Sequence, residues 1–189
     1  MRLVLAFLLS AGLGVQAAPR VWDFRVLLDG REIGRHTFTR EEAASGARVV
    51  SEARFDVRFL FLTAYRYEHR AEERWRDGCL VSLEARTDDN GRRSEVRLQP
   101  ADCTRSFAYW DRATLRAERL LNAQTGEVQP VRWTALGLES LPVRGREVSA
   151  SRHRLTAPGL SIDLWYDGPD WVALESRVEG GRRLRYELL

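Results

Sequence analysis

Along most of the chain, apolar side chains fall at every second position. From Ala47 the odd positions read Ala47, Val49, Ser51, Ala53, Phe55, Val57, Phe59 and Phe61, while Arg48, Glu52, Arg54, Asp56 and Arg58 stand between them. Successive side chains of an extended chain leave opposite faces of a sheet, so this alternation predicts a half-buried strand; a helix would scatter the same residues around its axis. Trp22, Phe24, Val26 and Leu28 repeat the pattern up to Asp29-Gly30, a turn leading towards Ile33 and Phe38. Tyr65, Tyr67, His69, Ala71, Glu73 and Trp75 share one face, opposite Arg66, Glu68, Arg70, Glu72 and Arg74. Cys79, Val81, Leu83 and Ala85 predict another strand, closed by Asp88-Asp89-Asn90-Gly91, and Val96 and Leu98 its return, ended by Pro100.

Late in the chain, Leu160, Ile162, Leu164 and Tyr166 alternate up to Asp167-Gly168-Pro169. Val172, Leu174, Ser176 and Val178 run on to Gly180-Gly181, and Leu184, Tyr186 and Leu188 finish the chain. The middle is less regular. Asp111 is placed to cap a short helix through Leu115, Leu120 and Leu121, ending near Asn122. Gln124-Thr125-Gly126 reads as a turn, Val128 to Trp133 as a strand, and residues 134–146, with Pro142 and Gly145, as an irregular connection. Turns at such short intervals favour successive hairpins over crossovers. The expected fold is mostly β: a single antiparallel, strongly curved sheet, an incomplete barrel or roll, with at most one or two short helices.

The N-terminus changes the picture of where this sheet folds. Arg2, the apolar run Leu3 to Val15 and the small-x-small triplet Val15-Gln16-Ala17 match a cleavable signal peptide over residues 1–17. The run falls short of the roughly 20 apolar residues of a spanning helix. A single β-rich domain over residues 18–189 is expected outside the cytoplasm, in the periplasm of a Gram-negative cell and not membrane-spanning after processing. In that compartment the two cysteines, Cys79 and Cys103, read as a disulfide. Closing that loop would contribute about 3.5 kcal/mol on a chain-entropy estimate.

All basic residues are arginine, and they alternate with acids instead of clustering. Mixed charge of this kind is a solvated face, and it argues against nucleic acid as a partner. His36, His69 and His153 lie on three separate predicted strands without metal-ligand spacing, so no metal and no cofactor are expected. Asp88-Asp89-Asn90-Gly91 lacks the distal acid of a calcium loop and reads as a hairpin turn. His69 and Glu73 carry the one unusual pattern. Alternation turns both to the side of Tyr65, Tyr67 and Trp75, where a carboxyl costs several kcal/mol unless paired, protonated or wet. Tyr65, Tyr67, His69, Glu73 and Trp75 are therefore the candidate ligand-binding residues. The alternative is that the strand emerges into water before Glu73.

The chain resembles a family of exported proteobacterial proteins classed as a domain of unknown function. The likeness rests on Trp22-Asp23-Phe24 with Leu28-Asp29-Gly30 and Ile33-Gly34, and on Ala64-Tyr65-Arg66-Tyr67-Glu68-His69. It continues in Gly78-Cys79-Leu80, Ser106-Phe107-Ala108-Tyr109-Trp110, Leu121-Asn122-Ala123-Gln124-Thr125-Gly126 and Trp171-Val172-Ala173-Leu174-Glu175-Ser176. That resemblance implies no activity. The β-rich late half is also similar to periplasmic curved-sheet proteins of the lipoprotein-carrier type. Three functions stay open: a non-enzymatic protein holding a lipid or other apolar small molecule in its concave face, an envelope scaffold or assembly partner with a filled core, and a hydrolase-like enzyme using His69 and Glu73.

Overall fold

The computed structural model describes residues 17–59 and 62–189. The expected leader, apart from Ala17, lies outside the described residues, as does Phe61 of the long alternating strand. The first six strands follow one another as a meander: β1 (Arg20–Leu28), β2 (Arg31–Ala43), β3 (Gly46–Phe59), β4 (Leu62–Arg76), β5 (Cys79–Asp89) and β6 (Arg92–Leu98). A crossover follows, carrying a one-turn 3₁₀ helix (Arg112–Arg116) and a small hairpin of β7 (Arg119–Leu121) and β8 (Val128–Pro130). A second meander completes the chain: β9 (Arg132–Val143), β10 (Arg146–Ala157), β11 (Leu160–Asp167), β12 (Asp170–Arg177) and β13 (Arg183–Leu188).

The two meanders are joined by antiparallel pairing of β1 with β13, Val26 opposite Tyr186. Together they form one eleven-stranded antiparallel sheet with β6 and β9 as its unpaired edges. The sheet curls into an open barrel, as the alternation leads one to expect. Among the described residues no helix is long and apolar enough to cross a membrane.

Hairpin chemistry sets the register. Asp29-Gly30, Asp77-Gly78, Asn90-Gly91 and Arg144-Gly145 each place two successive residues at positive φ. That is the conformation whose twist matches the flanking strands. Gly34 is needed for a different reason: a Cβ there would lie 1.9 Å from the Arg54 carbonyl oxygen on β3. The charged outer face is a cross-strand ladder. Arg54 pairs with Glu68 at 3.0 Å and Arg48 with Glu72 at 2.7 Å, while Arg66 meets Asp56 at 3.1 Å and Arg70 meets Glu52. The alternating signs along β4 are thus paired with β3, each exposed pair contributing at most about 1 kcal/mol.

Three expectations are corrected. Residues 134–146 are no irregular connection, because Arg132–Val143 is the edge strand β9. Leu136 is bulged between the pairs Gly137–Arg152 and Ala135–His153, which breaks the alternation. Pro142 is tolerated because an edge strand has one side without partners. The helix expected from Asp111 to Asn122 is only the 3₁₀ turn, with the Asp111 carboxylate accepting from the Ala113 N–H at 2.9 Å. Leu120 and Leu121 belong to β7 instead, and both are buried. In β5 a bulge between the pairs Arg74–Ser82 and Trp75–Leu80 turns Leu80 inward and leaves Val81 39% exposed.

The crossover enters the concave side and fills one end of the barrel. The Cys79–Cys103 disulfide ties it to the start of β5, reinforced by the Leu80 N–H donating to the Thr104 carbonyl at 2.9 Å. Beyond this tether, Trp110 packs edge-on against Trp75 at 5.3 Å and against Trp22 at 6.3 Å. Arg40 covers its outer side at 4.8 Å. Tyr109 packs tilted against Trp171 at 5.5 Å and accepts at its carbonyl from the Tyr166 hydroxyl at 2.9 Å. This end is a packed core.

Candidate functional site

The opposite end is open. Between the crossover and the concave faces of β2–β4, β11 and β13 lies a cavity of about 920 Å³. Inward alternation supplies its walls: Val49, Phe55 and Val57 from β3, Ile33 and Phe38 from β2, and Ile162 and Leu184 from the second meander. The aromatic lining is ordered. Phe55 and Tyr67 stack at 5.3 Å with an interplanar angle of 12°, and His36 and Phe38 stack at 4.1 Å. The mouth lies at the end where β1–β2, β5–β6 and β12–β13 turn, and there Asp89, Gly180 and Arg182 reach the rim. Both rim charges are already paired. Asp89 accepts from the Tyr65 hydroxyl at 2.6 Å, and Arg182 donates to Asp29 at 2.8 Å.

Polar groups punctuate the apolar wall at fixed depths. His36 Nε2 lies 2.7 Å from Ser51 Oγ and its Nδ1 3.2 Å from the Tyr186 hydroxyl. His69 Nδ1 lies 2.8 Å from Thr87 Oγ1 on the neighbouring strand. Burial pushes both imidazoles down, His36 to about 3 with a further contribution from His69, and His69 to about 4. Both rings are therefore neutral at pH 7. Burial likewise raises the hydroxyls of Tyr67, Tyr109 and Tyr186, which stay protonated.

Glu73 and Ser106 stand at the floor, where the crossover meets β4. Burial raises the Glu73 carboxyl above the usual carboxylate range, opposed by the Ser106 hydroxyl and the Trp75 indole. Trp75 Nε1 donates to Glu73 Oε2 at 2.9 Å. Ser106 lies close enough to act on that carboxyl, yet its Oγ, only 2% exposed as a residue, has no well-formed hydrogen bond.

Of the five residues expected to bind ligand, the structure brings Tyr65, Tyr67, His69 and Glu73 to the cavity wall in order from mouth to floor. Trp75 is not on the wall. It packs behind the floor on Trp110 and holds Glu73 in place. The strand does not emerge into water before Glu73, which is 8% exposed. His69 and Glu73 are four residues apart on one strand, or about 13 Å at the usual rise, and each is bonded to a different partner. His36, Ser51, Tyr186 and Ser106 also line the site. The first three follow from strand alternation once β2, β3 and β13 are aligned; nothing local marks Ser106 before the crossover is known to turn inward.

A second depression, of about 640 Å³, lies on the outer face among Arg35, Arg54, Arg70, Arg86 and Arg93. Its arginines are interleaved with Glu52, Glu68, Asp88 and Glu95, and the ladder described above neutralises much of it.

Residues 24–189 match the family model described as a domain of unknown function, DUF6134. The chain belongs to that family. Its open barrel is similar to a solved structure from Brucella abortus, described as a beta-barrel-like protein of domain of unknown function DUF1849. The two align with a TM-score of 0.61 over 93% of this chain and 98% of the other, at 12% identity. At that identity the likeness is one of fold alone. No curated protein matches the chain.

Proposed function

We propose that this DUF6134 protein is a periplasmic binding protein that holds a lipid or other apolar small molecule in the open end of its barrel. The observation that carries the reading is the cavity itself: about 920 Å³ of space, with aromatic and aliphatic walls and an open mouth. Ligand sites in general combine such walls with a few placed polar groups. The periplasmic location is supported by the leader-like N-terminus and by the Cys79–Cys103 disulfide, which suits an oxidising compartment.

Binding fits the chemistry of the wall better than catalysis does. The nearest approach to a nucleophile and base is Ser51 with His36, and an imidazole held near pH 3 is a weak base at neutral pH. The direct test is titration with an apolar fluorescent dye such as N-phenyl-1-naphthylamine. Saturable one-to-one binding is expected, and Leu184→Trp, which puts an indole into the cavity, should weaken it about tenfold with the circular dichroism unchanged. Absence of saturable binding by the native protein would remove the proposal.

A second reading, an envelope scaffold, draws on edge strand β9, where Leu138 is 76% exposed and Leu136 is also out in solvent. Crosslinking in intact cells separates the two, since a scaffold needs a specific protein partner and the ligand carrier does not.

A further inference from the structure

We infer that the ligand's head group is uncharged and carries a hydroxyl or amide, seated at the cavity floor between Glu73 and Ser106. The inference rests on the reading of the cavity as a ligand site and specifies what enters it. Ser106 Oγ is buried, lines the cavity and lacks a well-formed hydrogen bond. An unmade bond at a buried hydroxyl is destabilising, and a polar group on the ligand would offset it. Glu73 beside it accepts from the Trp75 indole through Oε2, and both Glu73 and Ser106 face the cavity, where one head group can reach them.

Charge selects among head groups. Among the described residues the only cation on the cavity wall is Arg182, and it sits at the rim, paired with Asp29. A carboxylate or phosphate at the floor would therefore lie beside Glu73 with no positive partner in reach. An ammonium head would need Glu73 ionised, against a burial that favours its protonated form. Higher on the wall, the imidazoles of His36 and His69 are held neutral by their own desolvation. Below the rim the wall offers hydroxyls, neutral imidazoles and one carboxyl whose charged form burial disfavours, and an uncharged amphiphile is the complementary occupant.

Three probes sharing one oleoyl-length chain test this by displacing the naphthylamine dye at neutral pH: 1-monoolein, oleate and oleylamine. Monoolein is expected to bind at least about tenfold more tightly than either charged probe. Ser106→Ala should weaken monoolein about fivefold while leaving the affinity for the dye, which has no such head group, unchanged. If oleate or oleylamine binds as tightly as monoolein, or Ser106→Ala leaves monoolein untouched, the head-group inference is overturned and the cavity reading stands. If neither the dye nor any probe binds, the cavity reading itself falls.

Discussion

His36 and His69 show how a single side chain acquires a role from its place on a strand. Each occupies an inward position, His36 among Phe38, Phe55 and Tyr186 and His69 beside Tyr67, and each finds a hydroxyl there: Ser51 and Tyr186 for His36, Thr87 for His69. Loss of water holds both rings far below an ordinary imidazole, with His69 adding to the effect on His36. In the unfolded chain both titrate near pH 6.5. Between about pH 4 and 6.5 the unfolded state therefore binds more protons than the folded one, and stability must fall as pH falls through that window. Each histidine contributes on the order of 3 kcal/mol to this acid lability. Glu73 acts in the opposite sense, since its raised carboxyl favours the folded state at low pH and gives that advantage up as pH rises. Two histidines outweigh one carboxyl. Urea unfolding at pH 7 and pH 5 should show lower stability at pH 5, and His36→Gln should shrink the difference by roughly half. A midpoint independent of pH over this interval would contradict the burial of the two rings.

The tryptophans of the outer face show what alternation alone does not convey. Trp165 points away from the cavity yet is 2% exposed. The guanidinium groups of Arg152 and Arg185 lie over its ring at 4.9 and 4.7 Å. Arg152 and Arg154 converge on Asp163 beside it, which is itself buried and held below its usual pKa. Arginine stems can cover apolar surface while their heads reach water, so an outward position is not always a wet one.

At the scale of the element, the strands legible in the sequence are β3, whose alternation is the longest, and those that end in Asp-Gly or Asn-Gly: β1, β4 and β5. The period of two survives because one face meets the core and the other the ion-pair ladder. Legibility is lost where a bulge shifts the phase. Val81 and Leu136 each take a position with no partner opposite, so apolar residues change parity within a single strand. The Arg144-Gly145 turn offers only half of the usual turn signal, and with Pro142 nearby β9 from Thr134 onward reads as a loop.

The crossover is an element of another kind, held by its tether as much as by its packing. Its ends are secured by the Cys79–Cys103 bridge, by the Arg105–Asp111 ion pair at 2.7 Å and by backbone bonds between Leu121 and Arg105. Replacing both cysteines by serine should lower stability by about 3 kcal/mol. Because Ser106 and Trp110 follow closely after Cys103, the same variant should also weaken dye binding. A double variant as stable as the native protein would show that packing alone secures the segment.

On the scale of the whole molecule, two meanders meet at β1 and β13 to make a barrel that never closes, and the crossover divides its interior. Trp22, Trp75 and Trp110 fill one end, while Phe55, Tyr67, His36 and Ile162 surround empty space at the other. The sequence pattern foretold an aromatic concave face and most of the wall from Tyr65 to Glu73. It did not tell the filled end from the open one, because inward Trp75 and inward Tyr67 obey the same period. That division depends on where a segment far along the chain comes to rest, and only tertiary packing sets it.

A ligand carrier must hold a molecule in its open end in the cell. Native mass spectrometry of the protein released from the periplasm, without detergent, measures this directly. A discrete added mass is predicted, lost on denaturation and recovered by solvent extraction as an uncharged amphiphile. A spectrum showing only the bare polypeptide, with an extract empty of lipid, would contradict it.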